Sequence, residues 1–331
     1  MKIIRVITAL VLAVGLLYLA SISSEGRPRF VSHSENGFTF EMTTVPKALE
    51  DSTARITITV KGDMQPDLRL YFRPSKSTQD ADTELRHYSQ VPMVLEDSAA
   101  GHYYAVANAG ARGGRMYYYF EIRDNTGGLR AGFRQPDGSP FVLKYIGHVP
   151  GSIIAGHVAM MLLTVVFLMM GFLYAVTVVR KNTDTRPMAV YFSLATLCAF
   201  LGCYPLGMAM NYYAFGTTWE GVPFGTDATD NKTQLLFAYL LYLVLVGIGS
   251  LTGNKLERNI YSERVLGWLG VGALPLVLFI YLIPHSIQFS PALTYAVCYS
   301  FIGLLALLYA VGLVRQQLTV RRSGVRSPRT Q

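Results

Sequence analysis

Two histidines stand where a polar side chain is costly. His157 lies about one turn into an apolar run, in Gly156-His157-Val158-Ala159-Met160-Met161, and His285 closes another, in Ile283-Pro284-His285-Ser286. At membrane depth such a group needs a partner, so an imidazole there is a site hypothesis by default. Between two further apolar runs the chain reads Trp219-Glu220-Gly221-Val222-Pro223-Phe224-Gly225-Thr226-Asp227-Ala228-Thr229-Asp230-Asn231-Lys232. Asp227 and Asp230 with His157 and His285 form a donor set suited to a divalent metal. The two imidazoles alone could hold a b-type haem axially, and the polar cluster could contact a quinone headgroup. Trp219, Glu220, Asn231 and Lys232 complete the loop. The expectation is one pocket near the outer lipid boundary, shared by His157, His285 and the acidic loop, with the cofactor open among haem b, metal and quinone.

Each residue also has a structural reading. Asp230 precedes an apolar run, where a carboxylate can cap backbone N–H groups and complement the helix dipole. Trp219, Tyr212 and Tyr213 suit an interfacial aromatic belt. Gly221, Pro223 and Gly225 shape a turn, and His157 can hydrogen-bond a neighbouring helix. Met160, Met161, Met169 and Met170 offer thioethers for a copper path, yet methionine is also a common filler of irregular helix contacts. Cys198, Cys203 and Cys298 all lie in apolar runs, so the polar N-terminal half has no disulfide framework, thiolate zinc site or haem-attachment motif.

Six apolar runs position these groups. Of the 331 residues 51% are hydrophobic and 15% charged, a membrane composition. The first run lies within residues 1–24, a transmembrane anchor or signal peptide. Five follow the polar domain, at about 152–179, 188–210, 233–251, 265–284 and 292–314, each long enough to cross roughly 30 Å of hydrocarbon. With a cytoplasmic N-terminus, the cytoplasmic segments carry 13 Lys or Arg against three acids, while the opposite loops carry Lys232 against three acids. That is the positive-inside pattern, ending in a basic tail, 316–331. The net charge of +8 therefore reports topology and not a nucleic-acid footprint.

Residues 29–149 read as an exported antiparallel β-sandwich. Arg55-Ile56-Thr57-Ile58-Thr59-Val60 alternates with period two, as do residues 38–42 and 68–72, and further strands are expected at 103–106, 116–123 and 141–145. Their spacing suggests an immunoglobulin- or fibronectin-like fold. His33, His87 and His102 are scattered without ligand spacing. In Tyr117-Tyr118-Tyr119 alternate rings are expected to fill the core. The fold class is thus α+β, an exported sandwich followed by a five-helix transmembrane bundle, plus the N-terminal helix.

The loop from Tyr213-Ala214-Phe215-Gly216 through Trp219-Glu220-Gly221-Val222-Pro223-Phe224-Gly225 to Asp227-Ala228-Thr229-Asp230-Asn231-Lys232-Thr233 resembles a signature of poorly characterised bacterial polytopic membrane proteins. Gly147-His148-Val149-Pro150, the helix with His157, and Tyr281-Leu282-Ile283-Pro284-His285-Ser286 share the resemblance, which spans roughly residues 144–286. It implies a bacterial envelope protein with an exported sandwich ahead of a helical membrane domain, and brings no reaction with it.

The expected role is a subunit or accessory of an inner-membrane complex, electron-transfer related, in contact with the lipid bilayer and other membrane or periplasmic subunits. The alternative is a non-enzymatic scaffold or docking protein whose sandwich binds a periplasmic partner. A receptor is disfavoured because no cytoplasmic segment is long enough for an output domain. A transporter is disfavoured by the lack of an internal repeat and of paired membrane charges.

Overall fold

The computed structural model describes residues 2–22, 28–62, 66–75, 88–124, 126–253, 258–283 and 289–322. The chain divides into two compact units. One comprises residues 26–150 with 211–217. The other comprises 1–25, 151–210 and 218–331.

Period-two alternation builds the first unit. Among the described residues eleven strands run in chain order as β1 (Phe30–Glu35), β2 (Phe38–Thr43), β3 (Lys47–Leu49), β4 (Ala54–Lys61), β5 (Asp67–Ser75), β6 (Ser89–Pro92), β7 (Val94–Asp97), β8 (His102–Ala107), β9 (Arg115–Arg123), β10 (Leu129–Phe133) and β11 (Phe141–Ile146). One sheet has the order β1-β2-β4-β8-β7. The other has the order β3-β11-β9-β5-β6, with β10 also paired to β9. All pairings are antiparallel except β3 with β11. A single apolar cluster joins the sheets: Phe40, Ile56 and Ile58 from one meet Leu70, Tyr118, Phe120, Phe133 and Leu143 from the other. Burial of β-branched and aromatic side chains on one face of each strand drives this association. Of the three consecutive tyrosines only Tyr118 enters that cluster.

The second unit is helical: α1 (Lys2–Ile22), α2 (Gly151–Lys181), α3 (Arg186–Leu201), a π-helical turn (Gly202–Leu206), α4 (Gly207–Phe215, whose residues from 211 on are assigned to the first unit), α5 (Ala228–Val246), α6 (Ile248–Thr252), α7 (Glu263–Leu282) and α8 (Pro291–Arg322). Helix α2 packs against α1, α3 and α7. At its centre Leu168, Met169, Phe192, Leu236, Ala273 and Val277 form the core. Met169 and Met170 are buried in that core, so packing and not an open thioether path accounts for them. Gly270 permits a close crossing: a Cβ there would stand 2.7 Å from Ala175 Cβ and 3.0 Å from the Phe192 ring. Small residues at such crossings let membrane helices approach closely.

Among the described residues, five stretches are long and apolar enough to cross a membrane: Ile3–Ala20, Gly151–Lys181, Arg186–Phe215, Glu263–Leu282 and Pro291–Thr319. The run expected at 233–251 is not among them. Its helix starts earlier, at Ala228, and spends its first two turns on Thr229, Asp230, Asn231, Lys232 and Gln234 before ending at Gly247. It is nonetheless an interior helix, with Asp230, Asn231, Lys232, Leu236 and Leu240 all buried. Neighbouring protein, rather than lipid, surrounds its polar start.

Candidate functional site

Pro205 has no N–H to donate, so the helical ladder must re-register around it, and the chain does so through the π-helical turn. His157 Nδ1 lies 3.0 Å from the carbonyl oxygen of Gly202 at the start of that turn. A carbonyl only accepts, so Nδ1 carries the proton and donates. One residue on, the buried Cys203 thiol contacts the Met161 thioether at 3.9 Å. Thr233 and Asp230 of α5 and Tyr281 of α7 lie within interaction range of the same thiol. The turn is thus flanked by His157 on one helix and Asp230 on another. No chemical role was assigned to Cys203, Thr233 or Tyr281 from the sequence, where all three lie in or at the edge of apolar runs.

The acidic loop is held by its own side chains. Asp227 caps α5, accepting from the N–H groups of Thr229 at 2.8 Å and Asp230 at 3.0 Å. The cap had been expected at Asp230. That residue is instead buried in the first turn, where its Oδ2 accepts from Glu220 N–H at 2.7 Å. Asn231 Oδ1 accepts from Val222 N–H at 2.8 Å. Lys232 Nζ donates 2.8 Å to the carbonyl of Ile283, the residue that ends α7. A cation at a helix C-terminus satisfies an orphan carbonyl and complements the dipole. Trp219 stacks on Tyr204 of the π-helical turn, ring centroids 5.5 Å apart, and donates from Nε1 to Val222 O at 3.4 Å. Gly225 must be glycine, because a Cβ would come 2.3 Å from Glu220 O. Together these bonds form a knot that ties the loop to the start of α5 and the end of α7.

Of the four residues expected to ligate a metal, Asp227 and Asp230 are engaged by backbone amides, and His157 by the Gly202 carbonyl. His285 lies outside the described residues, as does His87. Among the described residues no three His, Cys, Asp or Glu side chains gather as a metal site would require. Asn231 Nδ2, Gln234 Oε1 and Tyr281 Oη are buried without a hydrogen-bond partner among the described residues.

A second buried polar network sits elsewhere in the helical unit. Thr185 and Ser250 hydroxyls are 2.7 Å apart, Asn259 Nδ2 donates to Ser250 Oγ at 2.9 Å, and Ser250 N–H donates to Asn259 Oδ1 at 2.9 Å. It joins the start of α3, α6 and the strand of chain before α7, and it is internally satisfied.

No family model matches the chain, and no curated protein shows significant similarity to it.

Proposed function

We propose that this chain is a non-enzymatic docking or assembly subunit of a bacterial inner-membrane complex, its helical unit the anchor and its two-sheet unit the periplasmic partner-binding module. The observation that carries this reading is the knot. The residues that promised chemistry, Asp227, Asp230, Asn231 and Lys232, each spend an oxygen or nitrogen on main-chain groups of the loop or of α7. Such an arrangement fixes the geometry of a loop and does not leave an open donor set. In this reading α5 is the sixth crossing, shielded by α3, α7 and α8 against which it packs. Both termini then face the cytoplasm, as the distribution of Lys and Arg requires. The sheet unit is then immunoglobulin- or fibronectin-like. Helix α1 is a retained anchor. Ala9 and Ala13 are fully buried, Arg5 donates to Thr177 Oγ1 at 3.0 Å, and its guanidinium lies 4.3 Å from the centre of the Tyr174 ring.

The test is affinity purification from native membranes, with a visible spectrum and metal analysis of the same sample. Recovery with other proteins in fixed ratio, undisturbed by Asp227→Asn or Asp230→Asn, supports docking.

One observation favours a second reading. The Tyr281 hydroxyl, buried without a hydrogen-bond partner among the described residues, and the π-helical turn beside His157 would suit contact with a quinone headgroup, with electron transfer as the role. Bound quinone, or haem absorption lost in His157→Ala, would select it.

A further inference from the structure

Arg180, Lys181, Arg186, Arg258 and Arg264 are exposed, and among the described residues none of these side chains has an ion pair or a hydrogen bond. Packing in the helical unit brings them to one end. Helices α2, α3 and α7 converge at two glycines of α7. A Cβ at Gly270 would stand 2.7 Å from Ala175 Cβ of α2 and 3.1 Å from Met188 Sδ of α3. One at Gly267 would stand 2.9 Å from Val179 of α2. One or two residues from those contacts lie Arg180 and Lys181, which close α2, and Arg186, which opens α3. Arg264 comes three residues before Gly267, on the same side of α7. Arg258 is placed by its neighbour Asn259. That residue bonds twice to Ser250, whose hydroxyl is 2.7 Å from that of Thr185, the residue before Arg186.

Two described acids share this end. Asp184 Oδ1 accepts from the Arg186 N–H at 3.1 Å, and Glu263 opens α7. Lys255 and Glu257, outside the described residues, cancel in charge. Five bases against two acids leave an excess of three positive charges. Topology alone would be served by cations scattered over the loops; here the crossing of three helices and a satisfied buried network converge them.

The surroundings are those of a headgroup. Arg180, Lys181, Arg186 and Arg264 stand in the first or last turn of stretches long and apolar enough to cross a membrane, where hydrocarbon gives way to the polar boundary. Trp268, one turn from Arg264 on α7, is 57% exposed, as an interfacial tryptophan is. Along α3, Arg186, Val190, Leu194 and Leu197 follow one another at the spacing of a single helix face, and all four are exposed. A guanidinium fork reads phosphate oxygens in bidentate fashion, and cations beside an anionic leaflet gain from its surface potential.

We propose that this end of the helical unit binds an anionic phospholipid, its phosphate held by Arg180, Arg186 and Arg264 and an acyl chain lying along Val190, Leu194 and Leu197. The inference goes beyond the docking reading, because it needs no partner protein and concerns the helical unit alone. A lipid is favoured over an acidic polypeptide because the cations continue directly into an aliphatic helix face. That surface matches a molecule with charge at one end and hydrocarbon behind it.

The test places the full chain in phosphatidylcholine nanodiscs carrying a small fraction of brominated lipid, either phosphatidylglycerol or phosphatidylcholine, and reads tryptophan quenching. Both leaflets of a nanodisc have the same composition, so the result does not depend on which way the chain faces. Trp268 reports on the proposed site, while Trp219 belongs to the loop tied to the far end of α7. Wild type favours brominated phosphatidylglycerol by about fivefold or more, and added salt weakens the preference. The triple variant Arg180→Gln, Arg186→Gln, Arg264→Gln abolishes it, whereas Arg55→Gln, Lys61→Gln in the sheet unit leaves it intact. Near-ultraviolet circular dichroism confirms that both remain folded. If the triple variant misfolds, Arg186→Gln alone reads the same site by a partial loss. Equal quenching by the two lipids in wild type overturns the proposal, as does a preference unchanged in every folded arginine variant. Arginine-dependent binding of labelled oligoglutamate without a lipid preference overturns it too, assigning the cations to an acidic polypeptide. Co-purification with other proteins, but no lipid preference, leaves the docking reading standing and this site refuted. A lipid preference lost in the triple variant, with no partner recovered from membranes, refutes the docking reading and not the site.

Discussion

Replacing Asp230 in two ways separates a structural carboxylate from a ligating one. Its Oδ2 accepts from Glu220 N–H at 2.7 Å in a buried setting. Alanine leaves that amide without its acceptor, a cost of about 2–3 kcal/mol for a charge-assisted bond. Asparagine keeps an acceptor oxygen at the same reach, so the loss is that between a charge-assisted and a neutral bond, about 1 kcal/mol. For a unit of this size each kcal/mol moves the midpoint by roughly 2–4 °C, which gives a fall of about 5–10 °C for Asp230→Ala and about 2–4 °C for Asp230→Asn. The buried thiols of Cys198, Cys203 and Cys298 supply the assay. A fluorogenic thiol reagent reports their exposure as the detergent-solubilised protein is heated. Midpoints unchanged in both variants would refute the knot. Equal loss in both, together with an added divalent metal that raises the midpoint of wild type and of neither variant, would return Asp230 to the role of a ligand.

Other outcomes follow from the packing and the turns. Gly270→Ala places a methyl within 2.7 Å of Ala175 Cβ and should lower stability by about 1–3 kcal/mol, whereas Gly303→Ala, with nothing within 4 Å, should be neutral or slightly stabilising; the same thiol assay compares them. Asn259→Ala removes two bonds to Ser250 in a buried network and should cost about 2–4 kcal/mol, while Asn259→Asp, keeping the acceptor for Ser250 N–H, should not restore the donor bond. Asp124 accepts from the Thr126 hydroxyl and from the amides of Thr126 and Gly128, first the hydroxyl and then the Gly128 amide holding its carboxyl below the ordinary 3.8. A depressed carboxyl contributes stability above its unfolded value and loses it as pH falls through the folded one, so amide exchange at Thr126 and Gly128 should accelerate below that ordinary value in wild type and be fast and pH-independent, apart from intrinsic chemistry, in Asp124→Ala. Intact mass of the purified chain should include α1; a mature protein starting after residue 22 would contradict its place in the core.

The strands at Phe38–Thr43, Ala54–Lys61 and Asp67–Ser75 were readable because one buried face imposes period two on the residues that form it. The long spans were readable because lipid demands a continuous apolar run. Helix α5 was misjudged for the same reason inverted: an interior helix faces protein, so its polar first turn at Asp230, Asn231 and Lys232 leaves no hydropathy trace of a helix start. Partners nine and ten residues apart, Val222 with Asn231 and Glu220 with Asp230, are side-chain to main-chain bonds that follow no period.

Crosslinking in native membranes tests the central claim most directly. With a photoreactive residue at position 130 or 142 of the sheet unit, the docking account predicts a crosslink to one defined second protein, recovered in constant ratio through detergent extraction. Recovery of the chain alone, uncrosslinked and carrying a visible chromophore or a bound quinone, would contradict it.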